Sequence, residues 1–304
     1  MRYISFFPSE PRVNFMGVRL WTYIISGALF VFSVALFLIK GLNLGIDFTG
    51  GTLIQVHVER GASISQMRAA ATSAGLSKAE IQSFGEAGEF VIKYQENKNP
   101  DDVVKAMETS LGSPIRLDRN EQVGPRIGAE LREQAIIALG IGLLLMLIYI
   151  WIRFNFWFGL ASIIALFHDV IITMGIYTLL GFEVTSATVA AVLTIVGYSI
   201  NDSIVISDRI REMLKGEEKE RLDYRRMLAI FNEAVNATLS RTVLTGGTTL
   251  MVLVGILVLA GPMIFDFALA LTVGIIVGTY SSIFIVAALV LDWTGKRKPK
   301  PEKA

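Results

Sequence analysis

Residues 187–206 read ATVAAVLTIVGYSINDSIVI, and this stretch decides the fold. Twenty mainly apolar residues in a helix rising about 1.5 Å each cross a hydrocarbon layer of about 30 Å. The same stretch holds Tyr198, Ser199, Asn201, Asp202 and Ser203. An ionisable side chain within a span costs about 2.5 to 3.5 kcal/mol on insertion scales, so Asp202 either serves a function or has a partner. Working outward, five more stretches of similar length and apolarity lie at 21–39, 134–152, 156–180, 242–260 and 267–291. Apolar residues make up 53% of the 304 positions and the mean hydropathy is +0.55, well above a water-soluble mixture. The prediction is an α-helical integral membrane protein with six transmembrane helices.

Lys and Arg in the short loops orient the spans. Arg2, Arg12 and Arg19 precede the first span, and Arg153 separates the second from the third. Arg209, Arg211, Lys215, Lys219, Arg221, Arg225, Arg226 and Arg241 separate the fourth from the fifth, and Lys296, Arg297, Lys298, Lys300 and Lys303 fill the tail. The loops at 181–186 and 261–266 carry neither Lys nor Arg. Both termini are therefore expected in the cytoplasm, with the first stretch an uncleaved anchor, since it is too long for a signal h-region and has no A-x-A site. The expected division is a cytoplasmic N-terminus at 1–20, helix 1 at 21–39 and an external domain at 40–133. Helices 2–6 follow at 134–292, with a cytoplasmic loop at 207–241 and a basic tail at 293–304. The absence of cysteine excludes disulfides, thiol nucleophiles and Cys-ligated zinc. A net charge of +1 argues against nucleic acid, and no phosphate-loop motif points to direct use of ATP. No cofactor, metal or enzymatic activity is expected.

The segment between the first two spans reads as a domain of its own. Positions 52–59 (TLIQVHVE) alternate as a half-buried strand, and 65–74 carry helical spacing through Ile64, Met67, Ala71 and Ala74. Short strands at 80–83 and 90–94 flank Gly85-Glu86-Ala87-Gly88, a helix runs from the turn at 97–101 to Leu111, and 114–118 return as strand. The order β-α-β-β-α-β predicts a ferredoxin-like α+β domain inserted between spans 1 and 2. His57 and the scattered carboxylates form no catalytic constellation, so the expected role is binding or mechanical.

Polar groups gather at particular depths. His168-Asp169 in the third span lie about 18 Å from its cytoplasmic end and Asp202 roughly 24 Å from the outer face at 1.5 Å per residue. Tyr198 and Asp202 share a face at i, i+4. Thr245 to Thr249 and Thr279 to Ser282 reach the same inner third, which suits a hydrated vestibule. Arg241 is expected at a depth where it pairs with Asp202 or Asp208. Two readings of His168-Asp169 stand open: a structural pair between helices or part of a relay. The serines and threonines can simply bond their own backbone, and the glycines can simply allow close packing.

Several motifs resemble one family. They are Gly45-Ile46-Asp47-Phe48-Thr49-Gly50-Gly51 after the first span, Val123-Gly124-Pro125 before the second, and Ala165-Leu166-Phe167-His168-Asp169 in the third. Gly197-Tyr198-Ser199-Ile200-Asn201-Asp202-Ser203-Ile204-Val205, Asp208-Arg209-Ile210-Arg211-Glu212 and Thr238-Leu239-Ser240-Arg241-Thr242 complete the set. The chain resembles the SecD/SecF family of the resistance-nodulation-division superfamily. The resemblance implies a subunit of the bacterial Sec machinery in the cytoplasmic (inner) membrane. Its partners would be SecD, the SecYEG channel, accessory subunits such as YajC and YidC, and the translocating preprotein. It implies use of the proton motive force, with Asp202 and Arg241 linked to proton conduction; Asn201, Tyr198, His168 and Asp169, read from the polar residues of the spans, are the further candidates for the relay. Beside the resemblance, the turn with Gly45, Asp47, Phe48, Gly50 and Gly51 is the expected mechanical link to the external domain, an ordinary tight turn being the alternative. A small-molecule exporter of the same superfamily and a passive scaffold are the alternatives, the first needing a large external cleft and the second tolerating loss of Asp202.

Overall fold

A computed structural model describes residues 13–83, 87–217, 223–259 and 262–295. Arg2, Arg12, Lys219, Arg221, the basic tail from Lys296, and Gly85 and Glu86 of the expected turn lie outside the described residues.

In chain order, a 3-10 turn (Met16–Val18) leads into α1 (Arg19–Lys40), followed by a single-turn α2 (Ile46–Thr49). The inserted domain comprises β1 (Gly51–Val58), α3 (Ile64–Ser73), β2 (Glu80–Ser83), β3 (Glu89–Tyr94), α4 (Pro100–Leu111) and β4 (Ile115–Val123). Then come α5 (Pro125–Arg153), α6 (Phe156–Leu180), α7 (Ser186–Lys215) and α8 (Tyr224–Leu259). The last span is α9 (Pro262–Ser281), a π-helical turn (Ser282–Val286) and α10 (Ala287–Thr294). Among the described residues six helices are long and apolar enough to cross a membrane. Several run well beyond the apolar stretches, α5 starting at Pro125 and α8 at Tyr224. Hydropathy marks only the lipid-facing part of a helix, whereas its hydrogen-bond ladder continues wherever the chain stays helical.

The inserted domain has the expected ferredoxin-like order. Its sheet is antiparallel with strand order β2-β3-β1-β4. Alternation puts Ile54, Val56, Val58, Phe90 and Ile92 on one face, where they pack with Met67, Ala70 and Ala71 of α3 and Val103 and Met107 of α4. Ser63 caps α3 in a reciprocal box with Gln66, and Asn99 caps α4 ahead of Pro100. The last strand is longer than expected. It pairs with β1 as far as Val123, through a register shift at Gln55/Val56, because this is an edge strand whose residues 119–122 are polar and lack an apolar signal. The other sheet face, including Leu53, Gln55, Val91 and Lys93, is turned toward the end of the bundle.

Within the bundle α6, α7 and the α9–α10 span form the buried centre, and α1, α5 and α8 lie outside them. Small residues set the closest approaches: a Cβ on Gly175 would lie 2.2 Å from Ser33 Oγ, and one on Gly274 would lie 2.2 Å from Ile195 Cδ1. At the end away from the sheet, Arg19 bridges to Asp292 at 3.2 Å and to the Tyr224 hydroxyl at 2.7 Å, tying α1 to α10 and α8. Asn232 and Asn236 of α8 hold the backbone of Val13 and Met16 there.

Candidate functional site

Three central helices converge on Asp169. Its carboxylate accepts hydrogen bonds from Ser199 Oγ of α7 at 2.6 Å and Ser281 Oγ of α9 at 2.7 Å, and lies 2.9 Å from His168 Nδ1. Asp169 is wholly buried. Gly278 makes the convergence possible: a Cβ there would sit 3.2 Å from Ser199 Cβ and 3.6 Å from Asp169 Oδ2. A carboxylate in an apolar interior is tolerable only with such donors around it. His168 Nε2, buried, has no hydrogen-bond partner among the described residues, and the same holds for Thr173 Oγ1, Ser207 Oγ and Thr242 Oγ1. His168 and Asp169 are thus a pair that touches, and Ser199 and Ser281 are members of the site that the sequence reading did not single out.

Asp202 lies three residues beyond Ser199 on the same side of α7 and is also buried. Here one expectation needs correcting. No ion pair within 4.0 Å joins it to Arg241 among the described residues, although Arg241 is the opposing charge acting on it from greater range. Asp208, the other expected partner of Arg241, is engaged by Arg153 and Arg211 instead. Counting residues along a helix predicts depth but not azimuth. Asp202 faces the interior while Arg241 stands on the open face of α8. Tyr198 joins α7 to α8 through Thr249, hydroxyl to hydroxyl at 2.8 Å. Asn201 does not join these contacts; it is exposed on α7, as Arg241 is on α8.

The expected coupling residues form a knot at the sheet end. Gly45 N–H donates to the Val184 carbonyl at 2.9 Å and Val184 N–H to the Asn43 carbonyl at 2.7 Å, a two-residue bridge between the α1–α2 linker and the α6–α7 loop. Asp47 accepts a hydrogen bond from the Ser186 N–H at 2.8 Å and so supplements the Thr185 cap of α7. Phe48 is buried against Tyr177, Val184 and Ile195. Gly50 and Gly51 have φ of +74° and +139°, and a Cβ on either would lie 2.9 Å from Pro125 Cα or the Tyr94 carbonyl. One short segment therefore touches the start of β1, the start of α5 and the N-terminus of the helix that carries Asp202.

A second link between sheet and bundle went unread in the sequence: Lys93 of β3 is ion-paired with Glu183 of the α6–α7 loop. The one available signal was Glu183 itself, an acid in a loop without Lys or Arg. Among the described residues no group of His, Asp and Glu is arranged to hold a metal ion.

A bundle of six membrane-length helices with buried carboxylates, carrying a ferredoxin-like domain after its first helix, defines a polytopic membrane protein with one inserted α+β domain. Two family models match: the C-terminal region of protein export membrane protein SecD/SecF over residues 103–296, and the SecD/SecF GG motif over 35–62. The protein translocase subunit SecF of Desulfurispirillum indicum is 40% identical over 292 residues, covering 92% of this chain and 91% of that one. A crystal structure of SecDF from Thermus thermophilus, a translocon-associated membrane protein, superposes with a TM-score of 0.85 at 40% identity, covering 96% of this chain and 40% of that chain. A crystal structure of SecDF in a super-membrane-facing form matches the same shares at 40% identity with a TM-score of 0.71. The chain belongs to the SecF branch of the SecD/SecF family of protein-export membrane proteins.

Proposed function

We propose that this multi-pass Sec protein-export subunit uses proton movement past Asp202 to drive motion of its sheet domain during late steps of preprotein translocation. Asp202 is the site where a proton is gained and lost, with Arg241 of the neighbouring helix as the opposing charge that stands off from it. Asp169 with His168, Ser199 and Ser281 extends the polar path into the centre. The unpartnered Thr173, Ser207 and Thr242 hydroxyls are groups that a file of water would bridge. Tyr198 holds α8 against α7. The single observation that carries the reading is the cap: Asp47, in the segment entering the sheet domain, holds the N-terminus of the helix on which Asp202 sits.

The partner half is SecD. Lipid has no hydrogen-bonding groups for the exposed Asn201 and Arg241, so the faces of α7 and α8 that carry them meet another set of helices. SecDF of Thermus thermophilus, in which a matching region makes up 40% of one chain, supports that pairing. The assembly works with the SecYEG channel, and with accessory subunits such as YajC and YidC, in the bacterial inner membrane. Arg153, Arg209, Arg211 and Lys215 mark the cytoplasmic side, and the sheet domain lies outside. No chemical reaction is catalysed. The two SecDF structures match this chain to unequal degrees at equal identity and coverage, as parts that shift against each other would.

Vesicles carrying the complete export complex test this reading. Asp202→Asn abolishes the increment in export that a proton gradient produces and leaves gradient-independent export intact, and Arg241→Met behaves similarly. Equal gradient-dependent export in wild type and Asp202→Asn would overturn the assignment.

A further inference from the structure

We propose that Lys93 and Glu183 form a releasable latch between the sheet domain and the outer mouth of the bundle, with Asp266 as the second carboxylate that receives Lys93 when the domain swings. The inference extends the mechanical reading above, but its geometry does not depend on which residue carries the proton.

The two bodies are joined very unevenly. On one side the knot at 43–51 packs tightly, and among the elements of the domain end only α2 packs substantially on a membrane helix. On the other side the open sheet face stands over a cavity of about 840 Å³, reaching Leu53, Gln55 and Val91 above and Phe182 and Phe265 below. A second cavity of about 570 Å³ lies toward Asn43, Lys78 and Glu96. Lys93 and Glu183 line both. The ion pair is therefore a pillar across a gap that is otherwise not filled with side chains. A permanently fused interface would bury a packed apolar layer in that place. A gap crossed by one ion pair suits two bodies that separate and rejoin.

The chemistry of the pillar fits reversible use. The Lys93 and Glu183 side chains are only 18% and 8% exposed, so the attraction is little weakened by water, yet the adjoining cavities allow either group to be rehydrated when the pair parts. Of the other charges lining the larger cavity, Arg119 is paired with Glu121 and Asp47 caps α7. Asp266, at the start of α9, lines the larger cavity and feels both the Lys93 ammonium and the Glu183 carboxylate. Lys93, with a flexible four-carbon stem, thus stands before two acids, one in the α6–α7 loop and one on α9. Exchange between them keeps the ammonium paired while the sheet tilts about the knot.

The absence of cysteine from the chain makes the test direct. In vesicles holding the complete export complex, Lys93→Cys/Glu183→Cys is bridged with a short bis-maleimide whose spacer contains a reducible disulfide. Bridging should lower gradient-driven export at least several-fold, and reductant should restore it, whereas a monofunctional maleimide on either single variant should not reproduce the loss. Unchanged export with complete bridging would overturn the latch. A second measurement needs no gradient and so separates this proposal from the proton assignment. Gln55→Cys, facing the cavity, should react with a bulky maleimide several-fold faster when combined with Lys93→Gln. Lys93→Glu should have the same effect, reversed by adding Glu183→Lys. Labelling of Gln55→Cys that is indifferent to these changes would equally overturn it.

Discussion

The carboxylate of Asp47 accepts a hydrogen bond from the backbone N–H of Ser186 at 2.8 Å. The chain entering the sheet domain thus holds the first turn of α7, and Asp202 sits on that same rigid rod roughly 24 Å further along at 1.5 Å per residue. Tilt or rotation of α7 at one end is transmitted to the other without intervening loops.

Asp47→Ala removes that acceptor. Loss of an N-terminal cap costs about 0.5–2 kcal/mol, less here because Thr185 remains as a cap. Gradient-driven export is expected to fall more than the melting temperature of the purified protein, with Asp47→Asn, which keeps an acceptor oxygen, close to wild type in both. Parallel losses of stability and export in all variants would point to a purely structural cap.

Gly50→Ala should be disruptive. At φ +74° and ψ 163° the backbone lies in a region essentially confined to glycine, a strain of about 1–3 kcal/mol, and the new Cβ would meet Pro125 Cα. Gly61→Ala also places alanine at positive φ, but with open space around it. The first substitution should abolish export and lower thermal stability, and the second should lower the stability of the sheet domain slightly while export continues.

Ser199→Ala and Ser281→Ala each strip one donor from the buried Asp169 carboxylate. Leaving a buried group short of a partner costs about 1–3 kcal/mol, more for a charged one. Since both serines hold the same carboxylate, their effects should not add; a double-mutant cycle on unfolding in detergent should return a coupling of about 0.5–3 kcal/mol. Strict additivity would show that the two contacts act separately.

Met107→Ala hollows the core of the sheet domain, where Met107 is fully buried against α3 and the sheet. A cost of about 2–5 kcal/mol is expected. Limited proteolysis should cut within residues 51–123 first while the helical bundle stays intact, because the domain's core shares no cluster with the membrane helices.

Much of this architecture was legible from periodicity. Six apolar stretches and the β-α-β-β-α-β order are patterns of burial, and burial against lipid or against a sheet leaves a regular trace in sequence. Long-range pairings were less legible. Asp202 and Arg241 stand at similar depth by counting, yet they face different ways, since depth follows from rise per residue and azimuth follows from packing. Ser199 and Ser281 resembled the many hydroxyls that bond their own helix, and only the convergence of α6, α7 and α9 sets them apart. Lys93 and Glu183 lie 90 residues apart in different bodies, so no local pattern could connect them. The polar edge strand 119–123 escaped for a related reason: its partner is β1, not its neighbours in sequence.

The π-helical turn at Ser282–Val286 works as a one-residue insertion in the last span. Upstream of it Tyr280 touches Ser26 and Ser281 reaches Asp169, while downstream Asp292 meets Arg19. A regular α-helix turns about 100° per residue, so deleting one residue from the turn would straighten the ladder yet swing everything beyond it about a quarter-turn, leaving Asp292 facing away from α1. A length change of a single residue there is consequently a change of aim, and any homologous chain that lacks the turn must anchor its first helix by other means.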